Sequence, residues 1–269
     1  MSGPGWLRYI HFILAGGSTM KISSVAVFGI AGAVLLAACA PPEATDTAET
    51  PAPEPVREAT VLTQAAQEAL TPDDVLTQLK EGNRRFVEDR MIPRDYMAQA
   101  AATADGQYPK AVILSCLDSR VPPEIVFDQG IGDLFVGRVA GNFENADMLG
   151  SLEFATKAAG SKAVVVLGHS QCGAIKGAVA GVDMGNLTAM LENFDEVVAR
   201  ARAYIAEMEA AGVDTDAVVA RAIEENVRQT VADILEYSSV ISELVASGDV
   251  VVVGGIYDLA TGKVTWLGS

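Results

Sequence analysis

Histidine and cysteine are scarce in these 269 residues: His11 and His169, and Cys39, Cys116 and Cys172, are all there are. Metal or nucleophile chemistry that uses them has few residues to draw on. Basic residues are also short, 19 Lys plus Arg against 35 Asp plus Glu. The resulting net charge of −16 excludes a reader of nucleic acid and makes an anionic bilayer surface a poor partner. Internal repeats are lacking. So is a bilayer-spanning run: Val25 to Ala38 is apolar over only fourteen residues, where a span needs about 20. What the chain does have is 50% apolar residues, enough to bury one substantial core.

The short apolar run has the length of a signal-peptide core, with Lys21 before it and Leu36-Ala37-Ala38-Cys39 at its end. That ending resembles the lipobox of bacterial lipoproteins, in which the cysteine is acylated after cleavage. Residues 1–38 are therefore expected to be a signal peptide, and a start at Met20 would make 1–19 an overextended gene start. Residues 39–58 follow as a tether, with Pro41, Pro42, Pro51, Pro53 and Pro55 among Glu43, Asp46, Glu49 and Glu54. Loss of residues 1–38 removes Arg8 and Lys21 and no acids, so the mature charge is 17 − 35 = −18 and anchoring must come from lipid. The expected location is the periplasmic side of a Gram-negative envelope. Ala40, where many inner-membrane lipoproteins carry Asp, points to the outer membrane.

Residues 59–110 read as an N-terminal helical arm and 111–269 as an α/β core. Thr71-Pro72-Asp73-Asp74 combines an N-cap, a first-turn proline and two acids facing a helix dipole. Val75, Leu76, Leu79 and Phe86 follow at helical spacing, and no partner for that stripe is evident within the chain. Strands are expected at Ala111–Cys116, Leu134–Ala140, Ala163–Leu167 and Val250–Ile256, with helical segments such as Met148–Ala159 and Ala217–Val245 between them. The fold class is α/β: a mostly parallel sheet of four strands plus an edge strand, here Thr261–Trp266, flanked by helices. Ligands of open α/β sheets sit beyond the carboxyl ends of the strands, where Cys116, His169 and Cys172 fall.

His169 and Cys172 stand three apart in a tight turn, and a thiolate from Cys116 would complete a Cys₂His set suited to Zn²⁺ with one position open. Spacing alone leaves two alternatives, a Cys116–Cys172 disulfide and a metal-free Cys–His nucleophile pair. Asp118 and Arg120 follow Cys116 at alternate positions, so an extended segment would put them on one side, with the Arg120 fork on the Asp118 carboxylate.

Cys116-Leu117-Asp118-Ser119-Arg120 with Gly168-His169-Ser170-Gln171-Cys172-Gly173-Ala174 resembles the β-class carbonic anhydrases. Val121-Pro122-Pro123-Glu124, Gly132-Asp133-Leu134-Phe135-Val136 and Arg138-Val139-Ala140-Gly141-Asn142 extend the likeness, which runs from about Asp73 to Trp266. It implies a zinc lyase with one Zn²⁺ per subunit that hydrates CO₂ to bicarbonate and a proton, by zinc-bound hydroxide oriented by the Asp118–Arg120 dyad. It also implies a closed form in which Asp118 becomes the fourth ligand. Ile113 stands where members regulated through a second bicarbonate site carry Trp, which sets that regulation aside. For substrate the resemblance implies Gln107 as a donor from one subunit and apolar side chains from the other, with Phe135, Ala140, Phe154 and Gly173 as pocket positions. The arm helix would cross a second subunit in a homodimer that can pair into tetramers. Two other readings stay open on sequence, a COS or CS₂ hydrolase on the same scaffold and a non-catalytic zinc-stabilised binding protein.

Overall fold

The computed structural model describes residues 59–208 and 214–268. The expected signal peptide, Cys39 and the expected tether lie outside the described residues. No helix among those described is long and apolar enough to cross a membrane.

Five strands form one sheet in the order β2-β1-β3-β4-β5: β1 Ala111–Ser115, β2 Leu134–Arg138, β3 Ala163–His169, β4 Val251–Tyr257 and β5 Val264–Leu267. The first four are parallel and β5 runs antiparallel beside β4, as expected for a sheet ending in an edge strand. Successive side chains of β1 and β3 point to opposite faces, and both faces are buried. Ile113, Val165 and Leu167 meet Val75, Leu79 and Phe127 on one side; Val112, Leu114, Val164 and Val166 meet Val227, Ile234 and Ile241 on the other.

The arm holds α1 (Gln64–Glu68), α2 (Pro72–Val87) and α3 (Tyr96–Ala102). The start of α2 is a capping box: Thr71 Oγ1 accepts from the Asp74 N–H at 3.2 Å and the Thr71 N–H donates to Asp74 Oδ2 at 3.0 Å. One expectation is corrected here. Val75 and Leu79 are fully buried against the chain's own sheet, so the α2 stripe needs no second subunit to cover it. Local periodicity shows that a stripe exists but not which distant surface receives it.

Beyond β1 come α4 (Pro123–Val126) and, after β2, α5 (Ala146–Glu153) ending in a π-helical turn, Phe154–Ala158. After β3 come α6 (Gly173–Ala180), α7 (Asn186–Leu191), α8 (Asp195–Met208), α9 (Thr215–Tyr237) and α10 (Ser239–Ala246). The segment expected as one helix, Ala217–Val245, turns at Ser238, whose φ of −112° and ψ of 98° are extended. Its hydroxyl accepts the Ile241 N–H and donates to Glu153, which makes a corner that an unbroken apolar period hides. Helix α9 lies close on the sheet because Gly168 has no side chain: a Cβ there would come within 2.5 Å of Val227.

Candidate metal centre

Register sets the stage. Ser115 is level with Arg138 on one side and Leu167 on the other, so the chain leaves β1, β2 and β3 at nearly one height. Cys116 is the first residue past β1, His169 the last of β3, and Cys172 the residue capping α6. Gln171 takes a left-handed φ of 59°, the bend that returns Cys172 towards His169. The three candidate ligand atoms lie within 4.8 Å of one another. All three residues are buried, and neither cysteine is in a disulfide.

The ring of His169 is oriented by a bond between Nδ1 and the Ser170 carbonyl at 2.9 Å, which puts the proton on Nδ1 and leaves the Nε2 lone pair free. Nε2 is buried with no hydrogen-bond partner. An orphaned imidazole nitrogen at that depth is costly unless something is bound to it. The sulfurs say the same. A hydrogen bond from Cys172 pulls the Cys116 thiol far below its ordinary value, helped by the His169 ring beside it and by the Gly141 and Asp118 N–H groups. That same bond, together with burial, pushes Cys172 well up. Two thiols this close in a buried pocket cannot both ionise without a cation between them. Two sulfurs and one imidazole are the donor set of a borderline-soft ion such as Zn²⁺.

Asp118 and Arg120 meet side by side, though not through an extended segment. The Asp118 carbonyl accepts the Val121 N–H at 3.1 Å, so the dyad sits on a tight turn. Asp118 Oδ1 accepts from Arg120 Nε at 2.9 Å and from the Arg120 N–H at 2.9 Å, and Oδ2 accepts from Nη2 at 2.7 Å. The guanidinium holds the carboxyl at about 2, well below its usual range. Oδ2 stands 3.9 Å from His169 Nε2, which places the ionised acid at the rim of the cluster.

Not every expected site residue joins them. Ala140 and Gly173 flank the centre, next to Gly141 and Cys172 in the chain. Phe135 pairs in register with Val112, near the opposite end of the sheet, and stacks edge-to-face on Phe154 with centroids 6.1 Å apart. Phe154 is exposed. Gln107 lies before β1, in a hollow with Gln64, Tyr108 and Lys157. These three do not reach the cluster of their own chain.

Four residues without an expected role hold the centre in place. The Gly141 N–H donates to Cys116 Sγ at 3.3 Å, and Arg138 Nε donates to the Cys116 carbonyl at 3.0 Å while its other arm reaches the Asp118 carbonyl. Ser170 orients the imidazole, and Asn226 donates to the Gly141 carbonyl at 2.7 Å. The first three sit inside motifs that drew attention for other reasons. Asn226 left one faint signal, a polar residue on the buried face of α9 among Val219, Ala222, Ile223, Val227 and Ile234.

Residues 111–264 match the family model described as carbonic anhydrase. The chain is 40% identical over 186 residues to carbonic anhydrase 2 of Mycobacterium tuberculosis, covering 69% of this chain and 87% of that protein. It is 36% identical over 187 residues to a carbonic anhydrase of Mycolicibacterium smegmatis, covering 69% and 88%. Among solved structures, it is similar to a tetrameric β-carbonic anhydrase of Sordaria macrospora, with a TM-score of 0.55, 28% identity and coverage of 64% and 90%. A β-carbonic anhydrase of Aspergillus fumigatus gives a TM-score of 0.58 at 26% identity, covering 72% and 89%.

Proposed function

The chain belongs to the β-class carbonic anhydrases, lyases that hydrate carbon dioxide, and from that premise we propose which of its residues do the work. Cys116, His169 and Cys172 would hold one Zn²⁺. The observation that carries this is the buried, partnerless His169 Nε2 within 4.8 Å of two free thiols. When bound, zinc lowers the pKa of a coordinated water towards neutrality and so supplies a nucleophile for the carbon of CO₂.

The chain's own side chains then orient and exclude. Asp118, kept ionised by the Arg120 fork, can only accept a hydrogen bond, so it takes one from the attacking oxygen and turns that oxygen's lone pair towards carbon. Arg120, bound along both carboxylate oxygens, denies Asp118 the freedom to rotate. Val139 packs against the cluster that contains Cys116 and Cys172, and with Ala140 next to it offers apolar surface, which favours neutral CO₂ over charged bicarbonate. Proton export falls to water, buffer or a surface carboxylate, since no histidine besides His169 lies in the expected mature chain.

Phe135, Phe154 and Gln107 serve the site of a second copy. Support comes from β2, an edge strand with partly open apolar residues, whose Phe135 lies beside the exposed Phe154. Gln107 lines its hollow with Lys157 and Ala158, on the same π-helical turn that carries Phe154. The assembly is thus a homodimer with shared sites, able to pair into tetramers. For location, Leu36 to Cys39 supports export and an N-terminal lipid, with the protein on the periplasmic side of the envelope. Zinc stoichiometry, CO₂-hydration rate and sedimentation velocity on one preparation test the reading. One zinc per chain and activity in a dimer are expected; an active monomer would refute site sharing, and a metal-free active protein would refute the zinc assignment.

A further inference from the structure

The loop that leaves β2 touches Cys116 through a single backbone group. Val139, Ala140, Gly141 and Asn142 form a turn closed by the Asn142 N–H on the Val139 carbonyl at 3.0 Å, and Gly141 has a φ of 82°. A positive φ at the third position is the geometry of a type II turn, in which the central peptide presents its N–H on one side. Here that N–H belongs to Gly141 and points at Cys116 Sγ, 3.3 Å away.

Glycine is required at this position. A Cβ would lie 2.3 Å from Phe194, and the left-handed φ is one that L side chains rarely adopt. Whether the Gly141 N–H stays on the sulfur then depends on where the turn sits against β1, and something outside the turn has to hold it there.

Asn226 is placed to do so. It comes from α9, 85 residues away in sequence, and is 3% exposed. Its Nδ2 donates to the Gly141 carbonyl at 2.7 Å, while the N–H of the same peptide unit is tied to Val139. The peptide after Gly141 is therefore pinned at both ends. Val227, the next residue, packs into the space left by Gly168, directly before His169, so one turn of α9 braces both strand ends that carry ligands.

We propose that Asn226 is a positioning residue for the Cys116 ligand: its amide holds the Gly141 carbonyl and thereby keeps the Gly141 N–H on the Cys116 sulfur. This rests on the zinc reading of the centre. Hydrogen bonds of this kind to a ligand sulfur set its donor strength, and their loss typically weakens metal binding 10- to 100-fold.

The test compares Asn226→Asp, which keeps shape but presents an acceptor, and Asn226→Leu, which keeps size without a donor, against the wild-type full chain. Zinc affinity is read by chelator competition. The sulfur is read separately from the energy of the thiolate-to-metal charge-transfer band after cobalt(II) substitution, and folding from thermal melts. Both variants are expected to bind zinc about 10- to 100-fold more weakly and to shift the band to lower energy. If neither folds, Asn226→Ser, smaller and too short to reach the carbonyl, carries the same comparison. Wild-type affinity and an unmoved band in folded variants would overturn the inference, and a lowered melt with an unmoved band would do the same by showing a purely structural role. A wild-type protein that takes up no zinc would overturn the metal reading first and this inference with it.

Discussion

The two ends of the parallel sheet treat buried polar groups in opposite ways. At the amino ends of the strands every such group named here has a protein partner. Lys110 Nζ donates to Gln78 and Gln129, Gln67 donates to the Pro109 and Ala159 carbonyls, and Asp128 is clasped by both Arg85 and Arg94. At the carboxyl ends, Ser115 Oγ, Asn142 Nδ2 and His169 Nε2 are buried without one. Only one further buried side-chain atom among the described residues, Arg221 Nε, shares that condition. A satisfied network closes a core; an unsatisfied one at the mouth of a sheet is where a ligand supplies the missing bonds. The contrast separates clamp from site with no appeal to resemblance.

If the contrast is right, its two halves fail differently. The largest effect should come from Cys116→Ser, His169→Ala and Cys172→Ser. Each is expected to lose most bound zinc and about a thousandfold or more in CO₂ hydration while staying folded, because three ligands leave no redundancy. Full zinc occupancy and turnover in any of them would erase the distinction. At the other end, Asp128→Ala leaves Arg94, 6% exposed, buried without its counter-charge. A loss of about 3–5 kcal/mol in chemical denaturation is expected, with zinc content per folded molecule unchanged.

Asp118→Asn sharpens the comparison within the active end. The amide fills the same space but its nitrogen cannot accept, so zinc should remain and the CO₂-hydration rate fall by about 100-fold or more. Wild-type turnover in zinc-loaded protein would remove Asp118 from its role. The smallest effect concerns Glu144, just past the Gly141 turn, whose carboxyl burial raises to about 7. The unfolded chain releases that proton near pH 4.3, so from there up to about pH 7 the folded state is progressively disfavoured, and the cost is complete above it. Glu144→Gln should therefore be more stable than wild type by about 1–2 kcal/mol at pH 8, partial exposure moderating the figure, and no more stable at pH 4. Denaturant midpoints at the two pH values would show it, and an equal gain at both would rule out titration as the cause.

Much of the centre was legible because it is written in neighbouring residues. Cys116, Asp118 and Arg120 share one turn, and His169 to Cys172 another, so short spacing carries their geometry. The central strands β1 and β3 announced themselves as apolar runs because both faces of the sheet are covered there. Strand ends were less readable: Leu134–Ala140 stops at Arg138, where the chain turns towards a glycine of positive φ. Likewise α2 showed an apolar face, but the partner of that face, Phe127 and the sheet behind it, lies about 40 residues on or more.

The sequence by itself determined the His169–Cys172 pair, the α/β alternation and the acid–arginine pair, since each depends on residue type and on contacts a few positions apart. Only the tertiary structure decided that α2 covers its own sheet, that Phe135, Phe154 and Gln107 lie away from their own metal centre, and that Asn226 stands behind Cys116. Those facts depend on which surfaces meet across 40 to 110 residues of chain. A local period cannot encode that choice, because it is made by the burial of whole faces against one another.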